Sequence, residues 1–302
     1  MAAGFGPAAG TEAGLFGAAT EHAMRGFQQA RGLHADGICD EHTWTALVEA
    51  SWKPGDRQLL LTSPNLRGDD IADLQSRLAR LGFDCGRVDG IFGPRTSKAL
   101  VDFQSNCGLR PDGVYGPETV RAMTRVSGQT GSGPGVGAVR EQERLRAGFE
   151  SLANCRVVVG QFGGLSGLTR TLARELRQLG ATVMPLDEPD AVAQANAANH
   201  FGAHAYLGFQ SDPAPAAVVH YYQVPAFESA GGRSLAELIA QELRAVPGLE
   251  PAVSGMRLPV LRETRMPAVL VTVGPVRVAT DATPQLAASV LRALDLWILR
   301  TG

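Results

Sequence analysis

Two stretches of this 302-residue chain match each other at a constant offset of 76 residues, and no other feature limits the fold so strongly. The first, Gly14–Leu47, reads GLFGAATEHAMRGFQQARGLHADGICDEHTWTAL; the second, Gly90–Met123, reads GIFGPRTSKALVDFQSNCGLRPDGVYGPETVRAM. Phe16, Gly17, Thr20, Ala23, Phe27, Gln28, Gly32, Leu33, Asp36, Gly37 and Thr43 recur as Phe92, Gly93, Thr96, Ala99, Phe103, Gln104, Gly108, Leu109, Asp112, Gly113 and Thr119. No gap is needed, so the first part of the chain is a duplicated unit.

Each recurring residue has a physical task. The Asp-Gly pairs supply tight turns in which glycine takes positive φ. Thr20 and Thr96 stand where a helix should begin, as N-caps, and Thr43 and Thr119 repeat this one helix later. Ala and Phe at spacings of three and four make one apolar face. The second copy has a further helix upstream, over Asp70–Leu81, with Leu74, Leu78 and Leu81 as its core stripe. The unit is then three short helices with two Asp-Gly turns. The first copy reads as truncated: the offset places the counterpart of that helix before Met1, and Asp89 becomes Ala13, so either the true start lies upstream or this copy is degenerate.

Composition changes sharply after the repeat. Ser127–Gly137, SGQTGSGPGVG, reads as a flexible linker, and Ala138–Leu152 as an amphipathic connecting helix. From Arg156 onward strands and helices alternate. RVVVGQFGG is a buried strand entering a glycine turn, followed by a helix over 166–179. Strands follow at 181–186, 203–209, 217–223 and 266–273, with helices at 188–199, 235–243 and 283–299. This alternation predicts an α/β domain, a largely parallel sheet flanked by helices, behind small all-α repeats. The expected boundaries are 1–52 for the first repeat, 65–127 for the second, 128–137 for the linker and 138–302 for the α/β domain.

The bulk numbers exclude several classes. With 28 basic and 30 acidic residues the net charge is −2, which carries no nucleic-acid footprint. No apolar run approaches the roughly 18 residues that span a bilayer. The opening MAAGFGPAAGTEAG lacks a basic region and a sustained apolar core, so it reads poorly as a signal peptide. Cys39, Cys85, Cys107 and Cys155 are scattered, which fits a reduced, cytoplasmic chain.

The α/β half is poor in reagents where a site is expected. Its first strand ends in a glycine loop, a usual place for a ligand. That loop offers Gln161, Phe162 and Ser166. Gly160, Gly163, Gly164 and Gly167 with Asp187 loosely resemble a dinucleotide fingerprint, but the spacing is not GxGxxG. Ser166 fails as a nucleophile elbow because Leu168 stands where glycine is needed. His200 and His204 have zinc-ligand spacing on one helix, but Gly202 interrupts it, and His220 alternates along a strand as a structural histidine does.

The repeat closely resembles the peptidoglycan-binding module of cell-wall hydrolases, whose pattern is DGxFGxxTxxAVxxFQxxxGLxxDGxxGxxT. That resemblance covers about residues 12–126. It implies docking on glycan or stem peptide, with Phe92, Phe103, Asp112 and Tyr115 as candidate binding residues. Residues 153–300 resemble the zinc-dependent N-acetylmuramoyl-L-alanine amidases of the amidase-3 type. The match runs through Gly163-Gly164, Leu172–Val183, Ala195-Asn196, Gly202-Ala203, Tyr206-Leu207, and Leu258–Arg262 with Met266–Val271.

That family holds Zn²⁺ with two His and one Glu and uses a further Glu as base. By the resemblance, the first His falls at Phe162, the second at Gly208 and the catalytic Glu at Thr272. The shortened loop contains no acid before Glu175. Phenylalanine and glycine cannot ligate zinc, and threonine is no carboxylate base. The resemblance therefore implies a pseudo-amidase with no catalytic residue, no metal ligand and no cofactor. Combined with the missing export signal, it points to the CwlM group of mycobacterial amidase-like proteins. That implies a cytoplasmic regulator or scaffold of peptidoglycan precursor synthesis. Its expected partners are proteins of precursor synthesis or export, and peptidoglycan fragments. The alternatives are an active cell-wall amidase using His200, His204 and His220, or a non-catalytic peptidoglycan-binding protein outside the membrane.

Overall fold

The computed structural model describes residues 14–127, 151–224 and 227–301. The chain divides into two compact units, Met1–Arg140 and Glu141–Gly302. The readings of the opening segment, of the 128–137 linker and of nearly all of the connecting helix over Ala138–Leu152 lie outside the described residues.

In the first unit, α1 (Ala18–Arg31) and α2 (Glu41–Ser51) belong to the first copy. The second copy is built from α3 (Asp69–Arg80), α4 (Pro94–Asn106) and α5 (Pro117–Ser127). The helix starts correct the expected caps. Gly17 and Gly93 hold the N-cap positions of α1 and α4, so Thr20 and Thr96 stand one turn inside. Asp40 caps α2 and accepts the Thr43 N–H at 2.7 Å.

Three of these threonines are instead turned inward by a buried glutamine. Gln104 Nε2 donates to Asp112 Oδ1 (2.9 Å), Val114 O (3.1 Å) and Thr119 Oγ1 (3.2 Å), while its Oε1 accepts the Gly113 N–H (2.9 Å). Gln28 makes the same set with Asp36, Ile38, Thr43 and Gly37. Gln75 of α3 does so with Asp89, Ile91, Thr96 and Gly90. Each cradle closes over a glycine at positive φ: Gly37 at 79°, Gly90 at 72° and Gly113 at 71°. That geometry lets the amide point inward.

The two copies differ in how much core they bury. The second encloses Leu59, Ile71, Leu74, Leu78, Phe92, Leu100, Phe103, Tyr115 and Met123, whereas the first has Phe27, Leu33, Ala46 and Ala50. Phe92 is fully buried, but its counterpart Phe16 is 60% exposed, because the described residues of the first copy include no counterpart of α3. Ion pairs from Arg31 to Asp69 (2.6 Å) and from Arg57 to the buried Asp70 (2.7 Å) fasten the start of α3.

The second unit is a mixed, largely parallel sheet. Its strands are β1 (Arg156–Gln161), β2 (Thr182–Asp187), β3 (Ala205–Ser211), β4 (Ala216–Val224), β5 (Phe227–Glu228), β6 (Ala252–Met256) and β7 (Ala268–Gly274). The order is β2-β1-β3-β7-β4-β5, with β6 beside β4. Pairs β1–β2, β1–β3, β3–β7 and β4–β6 are parallel; β4 runs antiparallel to β7 and β5.

One sheet face carries Val157, Val159, Leu207, Phe209, Val269 and Val271. It packs with apolar residues of α6 (Ser166–Gln178), α8 (Ala230–Leu243) and α11 (Thr283–Thr301). Leu168, Leu172 and Leu176 of α6 recur at helical spacing, which is why that helix lies flat on the strands. The opposite face meets α7 (Ala191–Phe201), while α9 (Pro259–Glu263) packs on α7 and α10 (Val276–Asp281) follows β7. Asp190 and Ser229 cap α7 and α8, placing their starts away from the 188 and 235 expected from periodicity. The short elements β5, β6, α9 and α10 have no counterpart in the sequence reading.

Candidate functional site

The parallel strands β1, β3 and β7 bring Phe162, Gly208 and Thr272 to one region of the sheet. Gly160 of β1 pairs with Gly208 of β3, Gly208 pairs with Leu270 of β7, and Gln210 pairs with Thr272. Alternation puts Gly160, Gly208, Leu270 and Thr272 on the face opposite the main core. Phe162 lies two residues past Gly160, and its N–H donates to Phe209 O at 2.9 Å, extending the ladder. The positions assigned to two zinc ligands and the base thus converge near the carboxyl ends of neighbouring strands. Gly163 (φ 96°) and Gly164 (φ 76°) then turn the chain into α6.

Their surroundings are filled by other side chains. A Cβ added at Gly208 would lie 2.9 Å from Tyr206 Cε1 and 3.0 Å from Leu270 Cδ1. One added at Gly160 would fall on Gln194 Oε1 and 2.7 Å from the Tyr206 hydroxyl. That hydroxyl donates to Gln194 Oε1 at 2.7 Å, and Gln194 Nε2 donates to Gln161 O at 2.8 Å and to Glu188 O. Gln161 in turn donates to Asp187 and accepts the Leu165 N–H at 3.1 Å. Burial holds the Tyr206 phenol far above its ordinary range, so it stays a neutral donor. Thr272 is 6% exposed and Phe162 half-buried. Gln194 has no place in the sequence reading, and Tyr206 enters it only within the Tyr206-Leu207 match. The available signal was a glycine inside each of two buried strands, which marks a close approach.

The residues present do not fit the family's zinc ion. Phe162 and Gly208 offer no donor atom, Thr272 offers a neutral hydroxyl, and the space at 208 is taken by Tyr206 and Leu270. Among the described residues no group of three His, Cys, Asp or Glu is placed to hold a metal.

The three histidines are dispersed. His200 lies in the last turn of α7, its Nδ1 2.8 Å from Asn196 O. His204 lies just before β3, where its Nδ1 accepts the Arg156 N–H at 3.1 Å, at the amino ends of the strands. Burial first, and then the Arg156 charge, lowers its pKa. His220 sits on β4 opposite Leu270 and Ser254. Asp187, the acid of the dinucleotide reading, is engaged by Gln161. The Ser166 hydroxyl receives Arg170 at 3.4 Å.

In the repeat, the candidate binding aromatics need correction. Phe92, Phe103 and Tyr115 are 0%, 1% and 2% exposed and belong to the module's core, so their rings cannot touch a ligand from outside. Asp112 is exposed, but its carboxylate closes its own turn by accepting Val114 N–H (2.9 Å) and Gln104 Nε2 (2.9 Å). Those hydrogen bonds pull its pKa below the usual carboxylate value.

Comparison with known proteins agrees with both halves. Residues 1–47 and 67–123 match the family described as "Putative peptidoglycan binding domain". The chain is 34% identical over 293 residues to the N-acetylmuramoyl-L-alanine amidase CwlM of Mycobacterium tuberculosis, covering 86% of this chain and 72% of that protein. A probable N-acetylmuramoyl-L-alanine amidase of Bacillus licheniformis is 34% identical over 125 residues, 36% of this chain and 35% of that protein. Among solved structures, the amidase Ami1 of Mycobacterium smegmatis aligns with 49% of this chain and 99% of its own, at 15% identity and a TM-score of 0.42. On the extent and identity of the first of these matches, the chain belongs to the family of the N-acetylmuramoyl-L-alanine amidase CwlM.

Proposed function

We propose that this protein is a catalytically degenerate member of its family that acts by binding other molecules. In this reading it is a cytoplasmic regulator or scaffold of peptidoglycan precursor synthesis, and its partners are proteins of precursor synthesis or export. The observation that carries the loss of catalysis is the closed floor at Gly208. A metal-ligating side chain there would collide with Tyr206 and Leu270, and Phe162 and Thr272 supply neither ligand nor base. No helix among the described residues is long and apolar enough to cross a membrane.

The test is elemental analysis of purified protein together with a peptidoglycan hydrolysis assay. Substoichiometric zinc and no released stem peptide are expected. Stoichiometric zinc with turnover overturns the proposal and favours an active amidase. The duplicated module supports a second reading, non-catalytic binding of peptidoglycan or its fragments. Co-sedimentation with purified sacculi tests it, and a chain left wholly in the supernatant counts against it.

A further inference from the structure

The sheet of the second unit has two outer edges, and only one of them is guarded. At the β2 edge, Val183 O accepts Arg177 Nη2 at 2.9 Å, and Pro185, two residues on, has no N–H to offer. Both positions turn their backbone away from β1, so that edge is closed to a further strand. The other edge is β6, which among the described strands pairs with β4 alone. Its sequence, Ala252-Val253-Ser254-Gly255-Met256, contains no charge and no proline. Ala252 and Val253 are exposed.

The direction of its free groups follows from β4. The Ser229 N–H donates to Tyr222 O at 3.1 Å from the side of β4 away from β7, the side that β6 also occupies. Even-numbered residues of β4 therefore turn their backbone toward β6. Val218, His220 and Tyr222 stand opposite Ala252, Ser254 and Met256. A parallel ladder joins such a residue to the neighbours of its opposite number, here Val253 and Gly255. Ala252, Ser254 and Met256 thus aim their N–H and C=O groups outward, and no strand or side chain among the described residues takes them up.

We propose that β6 pairs antiparallel with β6 of a second copy of this chain, about a two-fold axis at Ser254. In that register Ser254 faces Ser254 of the other copy, and Ala252 faces Met256. Every outward-turned residue meets another and exchanges both N–H···O bonds with it. Val253 falls opposite Gly255, setting bulk against space, and no like charges are brought together. The closed β2 edge favours a second copy over an open stack of sheets. A two-fold contact uses both β6 edges and leaves no edge free to extend. The pairing holds whether or not the chain hydrolyses peptidoglycan.

The test is analytical ultracentrifugation of the full chain over a range of concentrations. The wild type should pass from one chain to two. Ser254→Pro removes an outward N–H and spares the ladder to β4, and Ser254→Lys sets two charges face to face. Both variants should stay at the mass of one chain while melting as the wild type does. Under mild oxidation Ser254→Cys should cross-link two copies, because the facing Cα atoms lie about 5.5 Å apart, within the range of a disulfide. Ala252→Cys should not, since its two copies stand roughly 14 Å apart. Peptide mapping separates this bridge from any through the exposed Cys39 and Cys107. A dimer that survives both Ser254→Pro and Ser254→Lys, or that forms in Ser254→Cys without the bridge, overturns the proposal. So does a wild type that stays a single chain, including the case in which the edge takes up an added peptide of alternating threonine and valine instead.

Discussion

The Tyr206 hydroxyl donates a 2.7 Å hydrogen bond to Gln194 Oε1, joining β3 to α7 directly beneath the two strand glycines, Gly160 and Gly208. This contact explains why the sheet can be at once tightly packed and polar at that point. Gln194 is fully buried, and the bonds to Tyr206, Gln161 and Glu188 satisfy its amide.

Replacing Gly208 should destabilise the fold. Gly208→Ala brings a methyl group to 2.9 Å from Tyr206 Cε1, and such overpacking costs typically about 1–3 kcal/mol. A lowered midpoint in urea unfolding is the readout. The triple change Phe162→His, Gly208→His, Thr272→Glu should lose more stability and gain no zinc by elemental analysis. Combining it with Tyr206→Ala should recover part of the loss.

Cutting one glutamine cradle should weaken the first unit. Gln104→Leu leaves the Gly113 N–H without its partner, at about 1–3 kcal/mol for a buried group left unsatisfied, while the Thr119 hydroxyl keeps its bond to Val114 O. Hydrogen exchange at Gly113 should speed up, while amides of β1 keep their wild-type rates.

Acidification should weaken the second unit through His204. Its folded-state pKa lies below the ordinary histidine value of 6.5, because burial and Arg156 disfavour the charged ring, and its neutral Nδ1 accepts the Arg156 N–H. The unfolded chain therefore takes up the proton more readily. The contribution is fully present above pH about 6.5 and is lost as pH falls through the lowered folded value. Urea midpoints measured between pH 8 and 5 should show this slope, and His204→Gln should flatten it.

Thiol reactivity should separate by burial. Cys39 and Cys107 are exposed, whereas Cys85 and Cys155 are buried with pKa values pushed up to about 12 and about 11. Native protein should label at Cys39 and Cys107 with a maleimide, and the other two should follow only in denaturant.

Much of the fold was legible because its elements are long and periodic. The Val run of β1 and the Leu spacing of α3 and α6 announce their own burial. AVSGM of β6 and the short α9 and α10 have too few residues for a period, so packing alone defines them. The direction of β4 was hidden for a different reason, since alternation in AVVHYYQ is the same whichever way a strand runs. At the site, the family pattern brought Phe162, Gly208 and Thr272 into view. It gave no account of what filled the space around them, because Tyr206 and Gln194 meet only in three dimensions. The module aromatics misled because a ring repeated in a motif can serve the interior as readily as a ligand.

The glutamine cradle also bears on how such a chain can change length. Gln75 reaches an Asp-Gly turn 14 residues away, while Gln28 and Gln104 reach theirs across 8. The same few atoms close both spans, so what is preserved is a knot at the two ends and not the thread between them. The two spans differ by six residues, and the longer one carries Cys85 and Val88 into the core on its way to the turn.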